Sequence, residues 1–192
     1  MPKSRLEAFS DGVLAVIITI MVLELKTPHG GDLAALQPVL PTLLSYVLSF
    51  LFIAIYWNNH HHLLHAASRV NATIMWANFH LLFWLSLVPF VTAWIDEYHG
   101  SPLPTACYGL VLLMAACAYQ LLQTAIVAAH GRTSSLAATL GRDWKGKFSL
   151  VCYVSAIGLS FVNLWLPNAL YFLVAAMWIV PDRRLERATQ QP

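Results

Sequence analysis

The side chains best suited to chemistry gather at the start of the first apolar segment of this chain. Arg5, Ser10 and Asp11 lead into an uncharged run over residues 12–23. A run of about a dozen residues makes roughly 18 Å of helix, whereas a bilayer core is about 30 Å thick and needs about 20 residues. If this segment crosses a membrane, Asp11 is drawn into or near the bilayer. An ionisable group at that depth is costly and marks a function or a specific buried pairing.

A cluster of histidines at 60–62 and 65 is the second candidate for chemistry. Consecutive helical residues point about 100° apart, so three histidines in a row cannot converge on one metal ion. His61 and His65 are spaced i, i+4, but no Cys, Asp or Glu lies nearby in sequence to complete a ligand set. Neither a metal site nor a cofactor is predicted. Because imidazoles titrate near neutral pH, sensitivity to pH is a hypothesis for this cluster.

The composition indicates that the secondary-structure elements carrying these residues lie in a membrane. The chain has 192 residues, of which 58% are hydrophobic and only 10% are charged, and its mean hydropathy is +0.63. A soluble domain of this size cannot bury that much apolar side chain. The apolar runs are long and continuous, unlike the short alternating segments of a barrel. The predicted fold is therefore all-α and polytopic.

Hydropathy predicts six transmembrane helices in one domain over residues 1–192. Phe148 to Val180 carries no charge, and we divide this stretch at 166–168, where Leu-Pro-Asn combines a helix breaker with a turn former. The three cysteines lie within predicted spans and indicate no disulfide framework. The predicted spans are approximately 6–26, 38–64, 71–95, 103–129, 147–166 and 168–182.

Six spans place ten of the eleven Lys and Arg residues on one side of the membrane, and only Lys26 on the other. The positive-inside rule then puts both termini in the cytoplasm of a bacterial-type inner membrane. No cleavage site of the A-x-A kind follows the first apolar run, which argues against a signal peptide. The slight positive charge is explained by the inner loops, so no nucleic-acid partner is predicted. The ten residues are Lys3, Arg5, Arg69, Arg132, Arg142, Lys145, Lys147, Arg183, Arg184 and Arg187.

The first helix has one apolar face and one polar face. On a helical wheel, Val16, Thr19, Ile20 and Leu23 fall within an arc of about 100°. Asp11 and its polar neighbours project away from that arc. Periodicity alone favours an ordinary membrane helix whose packing or lipid face is rich in β-branched residues.

The motif Arg-x-x-x-Phe-Ser-Asp at 5–11 resembles the signature of the transmembrane protein 175 family of potassium channels, in its single-repeat prokaryotic branch. Downstream, the sequence Trp-Asn-Asn-His at 57–60 resembles the Trp-x-x-His of the family's second helix. Asn78 and Pro89 occupy places where relatives often have such residues in the third helix. The motif residues are Arg5, Phe9, Ser10 and Asp11.

The resemblance implies a homotetramer of six-helix subunits without a pore loop, in which four copies of the first helix line the conduction path. Carried over by position, Val16, Ile20 and Leu23 form hydrophobic constrictions, and Thr19 supplies a ring of hydroxyls. Such a pore can gate by dewetting. The chain has no Thr-Val-Gly-Tyr-Gly sequence, so a carbonyl cage is excluded. The selectivity for potassium over sodium that the family implies is expected to be modest.

Polar residues from the first three helices lie at matching depths in the predicted cytoplasmic half of the bilayer. Lipid cannot satisfy them, so we expect them to form a buried, hydrogen-bonded clasp that holds the pore helix. A direct role in ion contact is the less favoured interpretation. The members of this predicted clasp, with the motif phenylalanine beside them, are Arg5, Phe9, Ser10, Asp11, Trp57, His60 and Asn78.

Two other classes of function fit the sequence less well. A secondary transporter of a small solute or metal ion would be expected to show inverted repeats and paired broken helices, which the sequence lacks. A membrane enzyme or haem protein could use His60, His61 or His80, but no nucleophile–base pair or complete ligand set accompanies them. The sequence therefore predicts a passive, potassium-preferring cation channel and no enzyme, with potassium ions, other copies of the chain and the lipid bilayer as partners.

Overall fold

The computed structural model describes residues 2–130 and 143–180, and every regular element in that part of the chain is helical. A short 3₁₀ helix, Leu33–Val39, precedes the second long helix and is capped by Asp32, which accepts from the Ala35 N–H at 3.1 Å. The α-helices are α1 (Lys3–Leu23), α2 (Leu40–Ala66), α3 (Ala72–Ser86), α4 (Val88–Glu97), α5 (Pro102–His130), α6 (Trp144–Leu159) and α7 (Trp165–Ile179).

Four helical runs in the described residues are long and apolar enough to cross a membrane. They are Lys3–Leu23, Leu33–Ala66, Ala72–Glu97 and Pro102–Ala129. The helix Trp165–Ile179 is apolar but shorter, with 15 residues. The prediction of an all-α, polytopic membrane protein is confirmed, whereas the limits of six spans within the bilayer stay a prediction.

The third run is interrupted near its middle by a break at Leu87, which is the cap residue of both α3 and α4. Pro89 lies in the first turn of α4 and has no N–H to donate to the carbonyl of Leu85. The Leu87 N–H turns back to the Trp84 carbonyl at 3.2 Å instead. The run is therefore interrupted where it packs against α1.

The centre of the bundle is α5, which packs against α3, α4, α6 and α7. Gly109 allows α7 to approach α5 closely, because a Cβ there would collide with the Tyr171 hydroxyl of α7. On the other side, α1 packs against α2, α3 and α4. The fully buried residues of α5 that form this core are Leu112, Ala115, Ala118, Leu122 and Ile126.

The predicted turn at 166–168 is wrong in its position. The connection between α6 and α7 runs over 160–164, and Pro167 lies in the first turn of α7. A proline is tolerated there because the first N–H groups of a helix have no intrahelical acceptor. The start of the helix is marked instead by Asn163, whose side chain accepts from the Trp165 N–H at 2.9 Å.

Basic side chains close the carbonyl ends of three helices on one side of the bundle. Lys3 donates to the His65 carbonyl of α2 at 2.7 Å. Arg69 donates to the Ala129 carbonyl of α5 at 3.1 Å. Such cations satisfy unpaired carbonyls and interact favourably with the negative end of the helix dipole. Part of the predicted positive charge thus has a structural role.

Lys145 does the same for α7, donating to the carbonyls of Met177 at 3.2 Å and Val180 at 2.9 Å. Five other basic residues on the predicted inner side lie outside the described residues, as does most of the segment between α5 and α6. These residues are Arg132, Arg142, Arg183, Arg184 and Arg187.

Candidate pore helix and its polar support

One face of α1 is packed against the bundle and the opposite face is open. The packed residues recur every three or four positions, as an α-helix requires. Leu14 and Ile17 are buried among apolar side chains, and Ser10 is completely buried with them. This face fixes the rotation of α1 about its axis. Its members are Leu6, Ser10, Leu14, Ile17 and Met21.

The open face contains the four residues predicted to line a pore. Val16 is 57% exposed, Ile20 44% and Leu23 77%. Thr19 lies on the same face, and its hydroxyl donates to the Ala15 carbonyl at 2.8 Å. Because that proton is used within the helix, the oxygen lone pairs are directed outward and can accept from water or coordinate a cation.

A groove of about 920 Å³ runs along this face between α1 and the broken third helical run. Gly12, Val16 and Ile20 line one wall, and Pro89 and Phe90 line the other. At one end lies Glu24, the exposed C-cap residue of α1. The groove is largely apolar, so within one subunit it leaves hydrophobic surface uncovered beside the predicted pore face.

A chain of hydrogen bonds connects three helices behind α1. His60 Nε2 donates to Asn78 Oδ1 at 2.6 Å, which requires that nitrogen to carry the proton. Asn78 Nδ2 donates to Ser10 Oγ at 3.0 Å, and the serine hydroxyl donates to the Leu6 carbonyl at 2.8 Å. His60 is only 2% exposed, while Ser10 and Asn78 are fully buried. These three hydrogen bonds satisfy polar groups that neither lipid nor apolar side chains could satisfy.

Asp11 and Trp57 form a separate pair beside this chain. The Trp57 indole N–H donates to Asp11 Oδ1 at 2.9 Å, and the contact is exposed. It ties the outer side of α1 to α2. The predicted clasp is therefore two units in the structure: a buried one centred on Asn78 and an exposed one formed by Asp11 with Trp57.

Arg5 and Phe9 are placed differently from the other members of the predicted set. Arg5 is exposed, and among the described residues its guanidinium makes no hydrogen bond or ion pair. It therefore does not join the buried clasp within one subunit. Phe9 is 50% exposed and packs edge-on against Phe79 of α3, with ring centroids 5.6 Å apart.

A second buried polar cluster was not foreseen from the sequence. Ser49 lies between the Thr92 hydroxyl at 2.8 Å and the Tyr108 hydroxyl at 3.0 Å. These residues belong to α2, α4 and α5, and all three are buried. Hydroxyls within apolar spans are so common that nothing in their spacing singles them out. The available sequence signal was a polar residue at a position on an otherwise apolar helix face.

The histidine cluster is arranged as a stack. His61 lies between Trp57 and His65, with centroids 5.9 and 6.2 Å away, and His62 meets it edge-on at 5.7 Å. Within residues 2–130 and 143–180, no three His, Cys, Asp or Glu side chains form a group suited to a metal ion. The stack extends the Asp11–Trp57 pair along α2.

Replacing Asp11 with alanine is expected to abolish either assembly or current, because it removes the acceptor of the Trp57 indole and frees that side of α1. Asn can still accept from the indole, so Asp11→Asn should retain assembly. Size-exclusion chromatography of the purified protein, followed by recording in a planar bilayer, measures both effects. Normal oligomers with normal conductance for Asp11→Ala would contradict this role.

Comparison with known proteins supports one family for this chain. The family model described as "Endosomal/lysosomal potassium channel TMEM175" matches residues 5–89. A potassium channel of Chryseobacterium sp. (strain P1-3) is 49% identical over 191 residues, and the match covers 100% of both chains. A potassium channel of Streptomyces collinus is 35% identical over 184 residues, which is 90% of this chain and 89% of that one.

A solved structure agrees with the fold as well. The crystal structure of a lysosomal potassium-selective channel TMEM175 homolog from Chamaesiphon minutus superposes with a TM-score of 0.80 at 30% identity, covering 95% of this chain and 97% of that one. The fold and the two-faced α1 define a polytopic helical membrane protein. The chain belongs to the TMEM175 family, and the family resemblance predicted from the sequence is confirmed.

Proposed function

We propose that this chain is the subunit of a potassium-conducting channel in which four copies of α1 surround the pore. The observation that carries the proposal is the open apolar face of α1, on which Val16, Ile20 and Leu23 are 44–77% exposed. The relatives named as potassium channels support the choice of ion. The family to which the chain belongs is one of ion channels, and we infer no enzymatic activity.

The physical basis of gating is the narrow apolar neck that these side chains form on a central axis. Water and ions are unstable in such a neck, so its width and polarity control the current. Thr19 lies between two of the aliphatic rings, and its outward lone pairs partly replace the water that a cation loses there. A ring of hydroxyls is a weaker and less rigid ligand set than a cage of carbonyls. Selectivity for potassium over sodium is therefore modest in this proposal.

The charge distribution supports the membrane orientation. The cations that close the ends of α2, α5 and α7 lie on the same side as the N-terminus of α1. Under the positive-inside rule that side is cytoplasmic. The proposed location is the cell (inner) membrane, with multiple spans and both termini inside.

The test is a planar-bilayer recording of the purified protein under a potassium–sodium gradient. Leu23→Ala widens the neck and is expected to raise the current about threefold, whereas Thr19→Val removes the hydroxyl ring and is expected to shift the reversal potential toward equal permeability. Leu110→Ala is the matched control, since this leucine is 45% exposed on α5, away from α1. Unchanged currents in both α1 variants would remove these residues from the path.

The same recording separates a channel from a secondary transporter of a small solute or metal ion. Ohmic current in both directions supports the proposal. Uptake that saturates with substrate and is coupled to a second ion would contradict it. Chemical cross-linking in detergent that stops at a species other than four subunits would contradict the tetramer alone.

A further inference from the structure

A small cavity lies between α2, α5, α6 and α7, and no described residue of α1 lines it. Its volume is about 40 Å³. It reaches from the first turn of α6 to the middle of α2, and aromatic rings form much of its wall. The lining includes Phe52, Tyr56, Ala116, Ser149, Tyr153 and Trp178.

Two tyrosine hydroxyls at this cavity lack a partner in the protein. Tyr153 is only 2% exposed and Tyr56 is half-buried. Within the described part of the chain, neither hydroxyl forms a hydrogen bond. By contrast, Tyr171 is 1% exposed and donates its hydroxyl to the Thr105 carbonyl at 2.9 Å. A buried hydroxyl without a partner is costly, so Tyr56 and Tyr153 require a group that the neighbouring side chains do not supply.

The same cavity also offers hydrogen-bond acceptors. Ser149 Oγ donates to the Lys145 carbonyl at 2.9 Å and accepts from the Trp178 indole at 2.9 Å. A hydroxyl oxygen accepts two hydrogen bonds, so one lone pair of Ser149 remains. Asn59 lines the cavity too, and its amide N–H donates to the Ile55 carbonyl at 2.8 Å. The lining therefore combines free donors with free acceptors, the mixture that a water molecule satisfies.

The size of the cavity selects the ligand. One water molecule needs about 10–15 Å³ of such volume, so the cavity has room for about three. A small organic molecule is too large, since benzene occupies a cavity of about 150 Å³. We propose that this cavity is a hydration site, which binds a cluster of water molecules between the Tyr56 and Tyr153 hydroxyls and the acceptors of Ser149 and Asn59. The inference goes beyond the proposed function and does not depend on ion conduction.

Water reaches this hydration site from the side of the termini. Gln120 and Asp143 line both the cavity and a wide groove between α3, α5 and the start of α6. That groove also includes the exposed Lys147, so water is stable there.

The water cluster joins α2 to α6, which otherwise meet at the Phe52 and Tyr153 rings, with centroids 6.3 Å apart. On its other side α2 carries His60, which supports α1 through Asn78. The hydration site therefore helps to hold the helix that positions α1. Bound water of this kind is part of a protein's structure and is costly to remove.

Hydroxyl-radical footprinting of the purified protein in detergent tests whether water is bound. Radicals formed from bound water by a short X-ray pulse modify the adjacent aromatic side chains. Tyr153 and Tyr171 are a matched pair, because they are 2% and 1% exposed but only Tyr153 lines the cavity. We expect Tyr153 to be modified about tenfold faster than Tyr171, as measured by mass spectrometry. Equal rates for the two tyrosines would overturn the proposal.

Filling the cavity locates the water. Ala116→Val adds two methyl groups at a lining position and should slow the modification of Tyr153 about threefold, while that of Tyr171 stays the same. An unchanged rate at Tyr153 in this variant would mean that its radicals come from elsewhere, and the hydration site would be wrong.

Tyr153→Phe distinguishes a hydrated hydroxyl from an unpaired one by the sign of its effect. If the hydroxyl donates to bound water, its removal should lower the melting temperature in detergent by about 3 °C. If the cavity is dry, its removal relieves an unpaired buried group and raises the melting temperature. Tyr98→Phe is the control, because Tyr98 is 58% exposed and should not change it. A melting temperature of Tyr153→Phe equal to or above that of the unmodified protein contradicts the proposal.

Neither measurement involves current, so the hydration site and the channel are tested separately. Absence of potassium current with fast modification of Tyr153 and a lower melting temperature for Tyr153→Phe would contradict the channel and support the hydration site.

Discussion

Replacing Asn78 with leucine is expected to lower the stability of the subunit by about 2 kcal/mol and its melting temperature by about 6 °C. Leucine has the same number of side-chain heavy atoms with the same branching, so packing is largely kept, but both hydrogen bonds of the amide are lost. His60 is then left buried with an unpaired N–H, and Ser10 loses the donor to its oxygen. Leaving such groups unpaired costs more than the bond itself contributes. Thermal unfolding followed by tryptophan fluorescence measures the change.

Asn168→Leu is the matched control for this variant. Asn168 is exposed on α7, and its amide donates only to the Leu164 carbonyl, at 2.9 Å, within one turn. The loss of this hydrogen bond should change the free energy of unfolding by no more than about 0.5 kcal/mol. Equal melting temperatures for the two variants would show that the hydrogen bonds joining α1, α2 and α3 do not hold α1 in place.

The second large effect is expected for Ile20→Ser, which should raise the potassium current about tenfold. In a tetramer the substitution replaces a ring of four aliphatic side chains by hydroxyls, and water then becomes stable in the neck. A barrier lowered by about 1.4 kcal/mol is sufficient for a tenfold gain. Single-channel recording distinguishes a larger conductance from more frequent opening.

The control for this prediction is Leu110→Ser on α5. Leu110 is 45% exposed in the subunit and Ile20 is 44% exposed. The two substitutions therefore remove similar amounts of exposed apolar surface. If Leu110→Ser raised the current equally, a general loosening of the bundle would be responsible. If Ile20→Ser left the current unchanged, Ile20 would not line the pore.

The sequence by itself determined the membrane class, the helical fold and the family. In lipid, the backbone N–H and C=O groups of a long uncharged run can be satisfied only in a helix or a closed barrel. The continuity of these runs excludes the barrel. The motif at 5–11 pointed to the family because all of its residues lie within one short stretch of the chain. The apolar face of α1 was also readable, since a helical period assigns Val16, Thr19, Ile20 and Leu23 to one side without reference to any other helix.

What only the tertiary structure decided was which polar groups meet. The sequence treated the predicted clasp as one set, but the rotation of α1 buries Ser10 with Asn78 and leaves Asp11 outside with Trp57. The cluster around Ser49 and the alignment of α1 with α2 depend on contacts between residues more than 40 positions apart. Such contacts are set by how helices pack and in which register, and a local pattern of residue types does not specify either.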